Sequence, residues 1–430
     1  MSHDLSLENL SSALFTVSDT MNPTVRLEYI LKDDIDKDAL EKAVQLLEKR
    51  FFYLKRRYKA GFWKIKYEKN DLPWVIKNTD KPVDIMCAEC NYHILAFSYW
   101  KKRIAIDCSH GDFDGTGLFA FMNSLVQFYC RIRYDENIKV KGINDITDEI
   151  TEDEYIHPYF ELAKKELPTD ENENKKENAP EAEDVLNIKK DKLVHDLRRR
   201  EYRLILQQKD VIKYCSSYDG SPATSFALIL AKAIHAVHSE SGKKIRLYVP
   251  CNIRKVIGAE RSRHSLISNV NVDFDKRLWD KDFEFQGTVF RGKVIADTRD
   301  EILLPKIIKQ AKGNLSMSKI RPAAFLRLFV PGLATKVTES VTASVSYTGR
   351  SQLGDMEKYI EAMYVTADPC GVGILIEVAS LGDKFFLTFA QDWYEDTYFK
   401  AFCKELQSLG MEYEIVYDGE PKTAKIKVFG

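Results

Sequence analysis

Between Thr24 and Leu31 the apolar residues Val25, Leu27, Tyr29 and Leu31 alternate with Arg26 and Glu28, which predicts a strand with one buried face. The period then lengthens. Leu40, Val44, Leu47 and Phe51 fall on one side of a helix, with Asp36 as its N-cap and Asp38 near its positive end. Trp63, Ile65 and Tyr67 alternate with lysines and read as another strand. His93–Trp100 and Arg103–Ser109 form a hairpin turning at Lys101–Lys102. After Gly115, Leu118, Met122, Leu125 and Tyr129 recur at helical spacing.

The pattern disappears in KKELPTDENENKKENAPEAE, residues 164–183, which is charged, carries two prolines and offers no apolar face. It reads as a mobile loop or linker, so the boundaries are drawn at 1–163, 164–185 and 186–430. Beyond it, Ser221 and Pro222 open a helix along Phe226, Leu230, Ile234 and Val237, and Gly242 stops it. Strands are predicted at Ile245–Val249, Ala343–Tyr347, Gly373–Val378 and Lys384–Ala390. A helix at Asp396–Leu409 precedes a polar tail. The fold class is α/β, with two halves that each mix strands and amphipathic helices.

Composition narrows the function. The 430 residues hold 64 Lys+Arg against 65 Asp+Glu, a net charge of -1, which argues against a dedicated nucleic-acid binder. Hydrophobic residues at 44% and charged residues at 30% fit a soluble globular protein. The N-terminus has no basic segment before an apolar core, and no apolar run is long enough to span a bilayer, so neither a signal peptide nor a transmembrane segment is expected. Eight scattered cysteines fit free thiols in a cytoplasmic protein. Cys87-x-x-Cys90 has no second ligand pair at zinc-site spacing, so no metal is expected.

One segment carries chemistry: Cys108-Ser109-His110-Gly111-Asp112-Phe113-Asp114-Gly115. It places an imidazole on a strand-to-helix turn. Histidine titrates near neutrality and suits general-base work, and an aspartate at a helix start gains from the helix dipole. The residues alone fit equally well a capped helix preceded by an incidental histidine. Arg261 and Arg263 read as a small basic cluster on a loop, either solvated or available to a phosphate. His235 and His238 read as surface or core positions, and Arg198-Arg199-Arg200 as a solvated helix face.

His110-x-x-x-Asp114-Gly115 resembles the H-x-x-x-D-G motif of the chloramphenicol acetyltransferase-like superfamily, which includes CoA-dependent acyltransferases, alcohol acetyltransferases and condensation domains. Stand-alone bacterial alcohol acetyltransferase-like proteins are the most similar in length. Arg26–Arg57 resembles their first strand and helix, Arg246–Lys255 their P-V-N-L-R strand end, Ser346–Arg350 their S-N-x-G-R strand end, and Phe385–Leu409 their closing strand and helix. The resemblance implies two sandwich-like subdomains with the site in a tunnel between them. It implies acyl transfer from a thioester, acyl-CoA or carrier-bound, to an alcohol or amine, with no tightly bound cofactor. His110 would be the general base, Asp114 would hold the loop by pairing with Arg254, and Ser346 would face the oxyanion. Gly115 and Asn269 would support the site, while Tyr347, Gly349 and Arg350 would contact substrate. The chain departs from the pattern in two places: Ser109 replaces the second histidine of condensation domains, and Tyr347 replaces an asparagine. Asp112 is expected to be solvated. A non-catalytic condensation-like protein that binds a carrier or ligand is the rival reading, as is a condensation-type domain that forms amides.

Overall fold

The computed structural model describes residues 12–18, 21–63, 65–134, 137–167 and 184–427. The first half contributes β1 (Thr24–Leu31), α1 (Lys37–Arg50), β2 (Arg56–Ala60), β3 (Ile65–Lys69), β4 (Ile76–Asn78), β5 (Leu95–Trp100), β6 (Arg103–Ser109) and α2 (Gly115–Tyr134). The Asp36 carboxylate caps α1 by accepting the Ala39 amide, as its position predicts. Trp63 lies in the turn between β2 and β3 rather than in a strand. Residues 168–183, most of the expected linker, lie outside the described residues.

The second half supplies β7 (Arg200–Gln207), α3 (Pro222–Val237), β8 (Ile245–Asn252), β9 (Ile267–Phe274), α4 (Phe283–Asp297), α5 (Asp300–Ser318), α6 (Leu326–Glu339), β10 (Ala343–Arg350), β11 (Ile360–Ala367), β12 (Ile374–Leu381), β13 (Lys384–Gln391), α7 (Thr397–Ser408) and β14 (Tyr413–Gly419). Two expectations change here. Arg200 opens a strand, and Arg199 pairs with Asp368 and Asp392, so the arginine run is not a helix face. The polar tail contains β14, an edge strand whose outward Glu and Asp residues read as tail because one side of it meets water.

The strands form a five-stranded sheet ordered β11-β1-β6-β5-β4, a seven-stranded sheet ordered β14-β7-β13-β12-β10-β8-β9, and the β2–β3 hairpin. The division into halves is therefore not a clean cut along the chain. β11, from the second half, pairs antiparallel with β1. Ile426 bridges Ile85, and the Ala424 carbonyl accepts from Asn22 and Thr24.

Each sheet has its own core. Leu27, Tyr29, Leu40, Leu47 and Phe121 join the first sheet to α1 and α2. Ile376, Phe385, Leu228 and Phe402 join the second to α3 and α7. The other face of the seven-stranded sheet looks toward the first half: Leu375, Ala379 and Phe386 belong to the first core, whereas Ile374, Ile376 and Val378 belong to the second. Strand alternation thus turns every second residue of β12 toward the seam.

That seam buries charge. Arg26 and Glu28, the expected polar face of β1, are fully buried because the second sheet covers them. Glu28 pairs with Arg26 at 3.0 Å, Arg103 at 3.2 Å and Arg203 of β7 at 2.5 Å. Burial raises its pKa, but the three guanidinium groups together hold it well below the ordinary carboxylate range. Arg203 also pairs with Glu201, so one buried network ties the two sheets together.

Candidate active site

β6 ends at Ser109, and the chain turns through His110 before α2 begins. The His110 amide donates to the Pro23 carbonyl beside β1, which fixes the start of the turn. The Nδ1 of His110 lies 2.9 Å from the Phe113 carbonyl. A carbonyl can only accept, so Nδ1 carries the proton and Nε2 keeps its lone pair. The turn therefore selects the tautomer that can act as a base, and the imidazole is partly open to solvent.

Asp114 points elsewhere. Its Oδ1 accepts the Gly117 amide at 2.8 Å and so caps α2. Its two oxygens also accept from both terminal nitrogens of Arg254, at 2.7 and 2.8 Å, and Oδ2 accepts the Leu266 amide at 2.7 Å. Arg254 is equally committed: it donates to the Ser262 and His264 carbonyls and to Asn252 Oδ1. Both side chains are almost fully buried. One ion pair therefore joins the first-half turn to the loop after β8.

The glycines make this approach possible. A Cβ on Gly115 would lie 2.2 Å from the γ-methyl of Thr348 on β10, and one on Gly117 would lie 2.2 Å from the Arg263 carbonyl oxygen. Asn252 Nδ2 also donates to Thr116 Oγ1 at 3.1 Å. With side chains at 115 and 117, the second half could not close onto the His110 turn.

Ser346 lies on β10, two residues before Thr348, and is register partner of Glu377 on the parallel strand β12. The Ser346 hydroxyl and the Glu377 carboxyl form a hydrogen-bonded pair, and that carboxyl also feels the His110 imidazole. Glu377 belongs to the seam-facing set of β12 and is only 6% exposed. Burial pushes its carboxyl above the usual range, against the lowering pull of His110 and Ser346. Sequence reasoning missed this residue. The available signal was a lone charge in the apolar strand ILIEVASL.

Asp112 is buried, which corrects the expectation of a solvated acid. Its Oδ1 accepts from the Tyr67 hydroxyl and from Arg56 at 3.3 Å, and Tyr58 bonds Tyr67 in turn. The Arg56 guanidinium lies 4.4 Å from the centre of the Tyr67 ring. The β2–β3 hairpin thus braces the back of the His110 turn. Nearby, the rings of His157 and His264 pack 4.7 Å apart. Burial and neighbouring positive charge hold both neutral, His157 down to about 3.

The remaining expected site residues take other positions. Tyr347 turns to the opposite face of β10, where its ring packs on Phe385 and its hydroxyl meets Ser380 at 3.0 Å. This departs from the substrate contact expected of it, because adjacent strand residues point to opposite faces. Gly349 takes a φ of 92° in the irregular end of β10, and Arg350 is exposed. Asn269 is exposed on β9 and lines a surface cleft of about 400 Å³ with Arg246, Asp273 and Lys306; none of the residues around His110 lines it. Arg263 is buried and donates to Asn144, which departs from the solvated reading, while Arg261 stays exposed and donates to Glu154. Among the described residues, no cluster of His, Cys, Asp and Glu suits a metal ion, and no helix is long and apolar enough to cross a membrane.

No family sequence profile matches the chain, and no curated protein does. Solved structures do. TRI101 of F. sporotrichioides, solved with coenzyme A and T-2, superposes with a TM-score of 0.57 at 10% identity, over 94% of this chain and 98% of its own. The chain has the chloramphenicol acetyltransferase-like fold. Polyketide synthase associated protein 5 of Mycobacterium tuberculosis gives 0.59 at 11% identity over 90% and 93% of the two chains. The condensation domain of the monacolin K synthase MokA gives 0.55 at 12% over 95% and 96%. The two-subdomain architecture of this fold accounts for the two sheets and the seam at which His110 sits.

Proposed function

We propose that the protein is an acyltransferase that moves an acyl group from a thioester to a hydroxyl or amine. The observation that carries this reading is the His110 ring, with Nδ1–H fixed on a backbone carbonyl and Nε2 left as a base, at a seam that also holds the Ser346 hydroxyl. His110 Nε2 takes the acceptor proton as the acceptor oxygen or nitrogen attacks the thioester carbon. The carbonyl electrons pass to oxygen, and Ser346 O–H donates to that oxyanion. Collapse breaks the C–S bond, and the proton on Nε2 returns to the departing thiolate. Asp114 takes no part in proton transfer; it fixes the turn. Acyl-CoA is the donor we favour, since TRI101 was solved with coenzyme A and the two chains share a fold; carrier-bound thioester is the alternative form of the same donor.

Glu377 controls which way the Ser346 hydroxyl points. As a carboxylate it captures the Ser346 proton. As a neutral acid it donates to Ser346 Oγ and leaves Ser346 O–H free for the oxyanion, and burial favours the neutral form. The decisive experiment measures free thiol released from acetyl-CoA and longer acyl-CoAs across a panel of alcohols and amines. Acceptor-dependent release is expected. Its absence with every pair would favour the non-catalytic reading.

A further inference from the structure

The segment from Ile302 to Thr338 carries seven Lys or Arg residues and no Asp or Glu, in a chain whose overall charge is -1. It covers most of α5 and α6 and the turn between them. On α6, Leu326 and Val330 enter the first core. The outward side of such a helix normally is polar. Here Phe329, Leu333 and Val337, four residues apart, face outward together with Leu328, and each is more than half exposed. The β2–β3 turn adds Phe62 and Trp63, which are likewise more than half exposed and pack edge-to-face with ring centres 5.3 Å apart. The two elements are fastened together: the Ala323 and Ala324 amides donate to the Trp63 and Phe62 carbonyls at 3.2 and 3.1 Å.

We infer that this joint face, the β2–β3 tip with the outer side of α6, docks on an anionic lipid surface. An aqueous protein gains nothing from holding large apolar side chains in water, so a patch of this kind marks a partner. Its chemistry fits a bilayer interface: protruding Trp, Phe and Leu enter the headgroup–acyl boundary, and an unbroken set of cations meets the lipid phosphates. Exposed Lys319, Arg321 and Lys336 flank the apolar residues and supply the charge there. The face can lie on a membrane without crossing it. Through Tyr67 and Arg56, the same hairpin braces Asp112 beside the His110 turn, so the docked surface and the site are joined by one short element. The inference does not rest on the acyl-transfer reading, because a chain without turnover would still bind.

The test is co-sedimentation of the full chain with vesicles of phosphatidylcholine containing phosphatidylglycerol, against phosphatidylcholine alone. Binding to the anionic vesicles is expected, weakened about tenfold or more by 0.5 M salt or by removing the anionic lipid. The double variant Phe329→Glu, Leu333→Glu and the single variant Trp63→Ala should each lose about tenfold in vesicle affinity with an unchanged melting temperature. The inference is overturned if the wild type stays in the supernatant with anionic vesicles. It is also overturned if the substitutions leave binding intact, or if light scattering shows a dimer that the double variant dissolves, since the occupant would then be a second copy.

Discussion

Asp114 and Glu377 are both buried carboxyl groups beside the same histidine, and the structure treats them in opposite ways. Asp114 sits at a helix start and receives four donors: two amides and both arms of Arg254. Glu377 sits mid-strand in an apolar run, with one serine hydroxyl and the field of one imidazole against its burial. A carboxylate with every oxygen paired stabilises the fold. An under-compensated one costs stability when ionised, so burial favours its neutral form. Burial alone does not separate the two roles; the number and charge of the partners does.

Substitution should expose the contrast. Asp114→Ala leaves the Arg254 guanidinium buried without its counter-ion and strips the cap from α2. A loss of roughly 3–5 kcal/mol is expected, read as a lowered urea midpoint together with lost activity. Arg254→Ala should cost a similar amount, and the double variant much less than the sum. A wild-type midpoint for Asp114→Ala would remove the structural role assigned here.

Glu377 should behave in reverse. Glu377→Gln keeps a donor for Ser346 Oγ and removes the ionisable group, so turnover should stay within about threefold and the melting temperature should hold or rise. Glu377→Ala leaves Ser346 unoriented, and we expect a fall of about 10–100-fold, within the range set by one oxyanion donor. Because the folded-state pKa of Glu377 is raised, ionising it costs the native state, and wild-type turnover should decline as pH rises through that ionisation. The Gln variant should lack this decline. Equal damage from Gln and Ala would mean that the negative charge is what matters.

A smaller effect concerns the neutral imidazoles behind the turn. The His157 pKa falls from 6.5 to about 3 on folding, and His264 shifts the same way. Both unfolded rings take up protons below about 6.5 while the folded ones do not. Their contribution to stability is therefore complete above pH 6.5 and is lost as pH falls toward 3. Replacing both with Gln should flatten the melting-temperature profile across that window; an unchanged slope would assign the acid sensitivity to other groups, Glu28 among them.

What was legible in the sequence follows the same division. Alternation and helical spacing placed β1, α1, the β5–β6 hairpin, α2, α3 and β12–β13, because these patterns report a face that one neighbour covers. The strand-to-helix turn that carries His110, Asp114 and Gly115 was legible because strand end, cap and helix start lie in one short segment, whereas the partners of Asp114 are distant in sequence. Arg26, Glu28, Asp112 and Glu377 were not, since each looks like a solvent-facing polar residue until the element packed over it is known. Arg199 and Arg200 read as a surface run for the same reason. Those four buried groups lie at contacts made by distant segments, β7 over β1, β3 against the His110 turn and β10 beside β12, and periodicity within one segment carries no record of such partners.

The most direct test of the central claim is free-thiol release by His110→Ala, with its melting temperature measured on the same preparation. The imidazole makes one backbone-directed hydrogen bond and belongs to no ion pair, so the variant should melt like the wild type while turnover falls by about 10²–10⁴-fold. Near-normal turnover in the folded variant would contradict the assignment of His110 as the base.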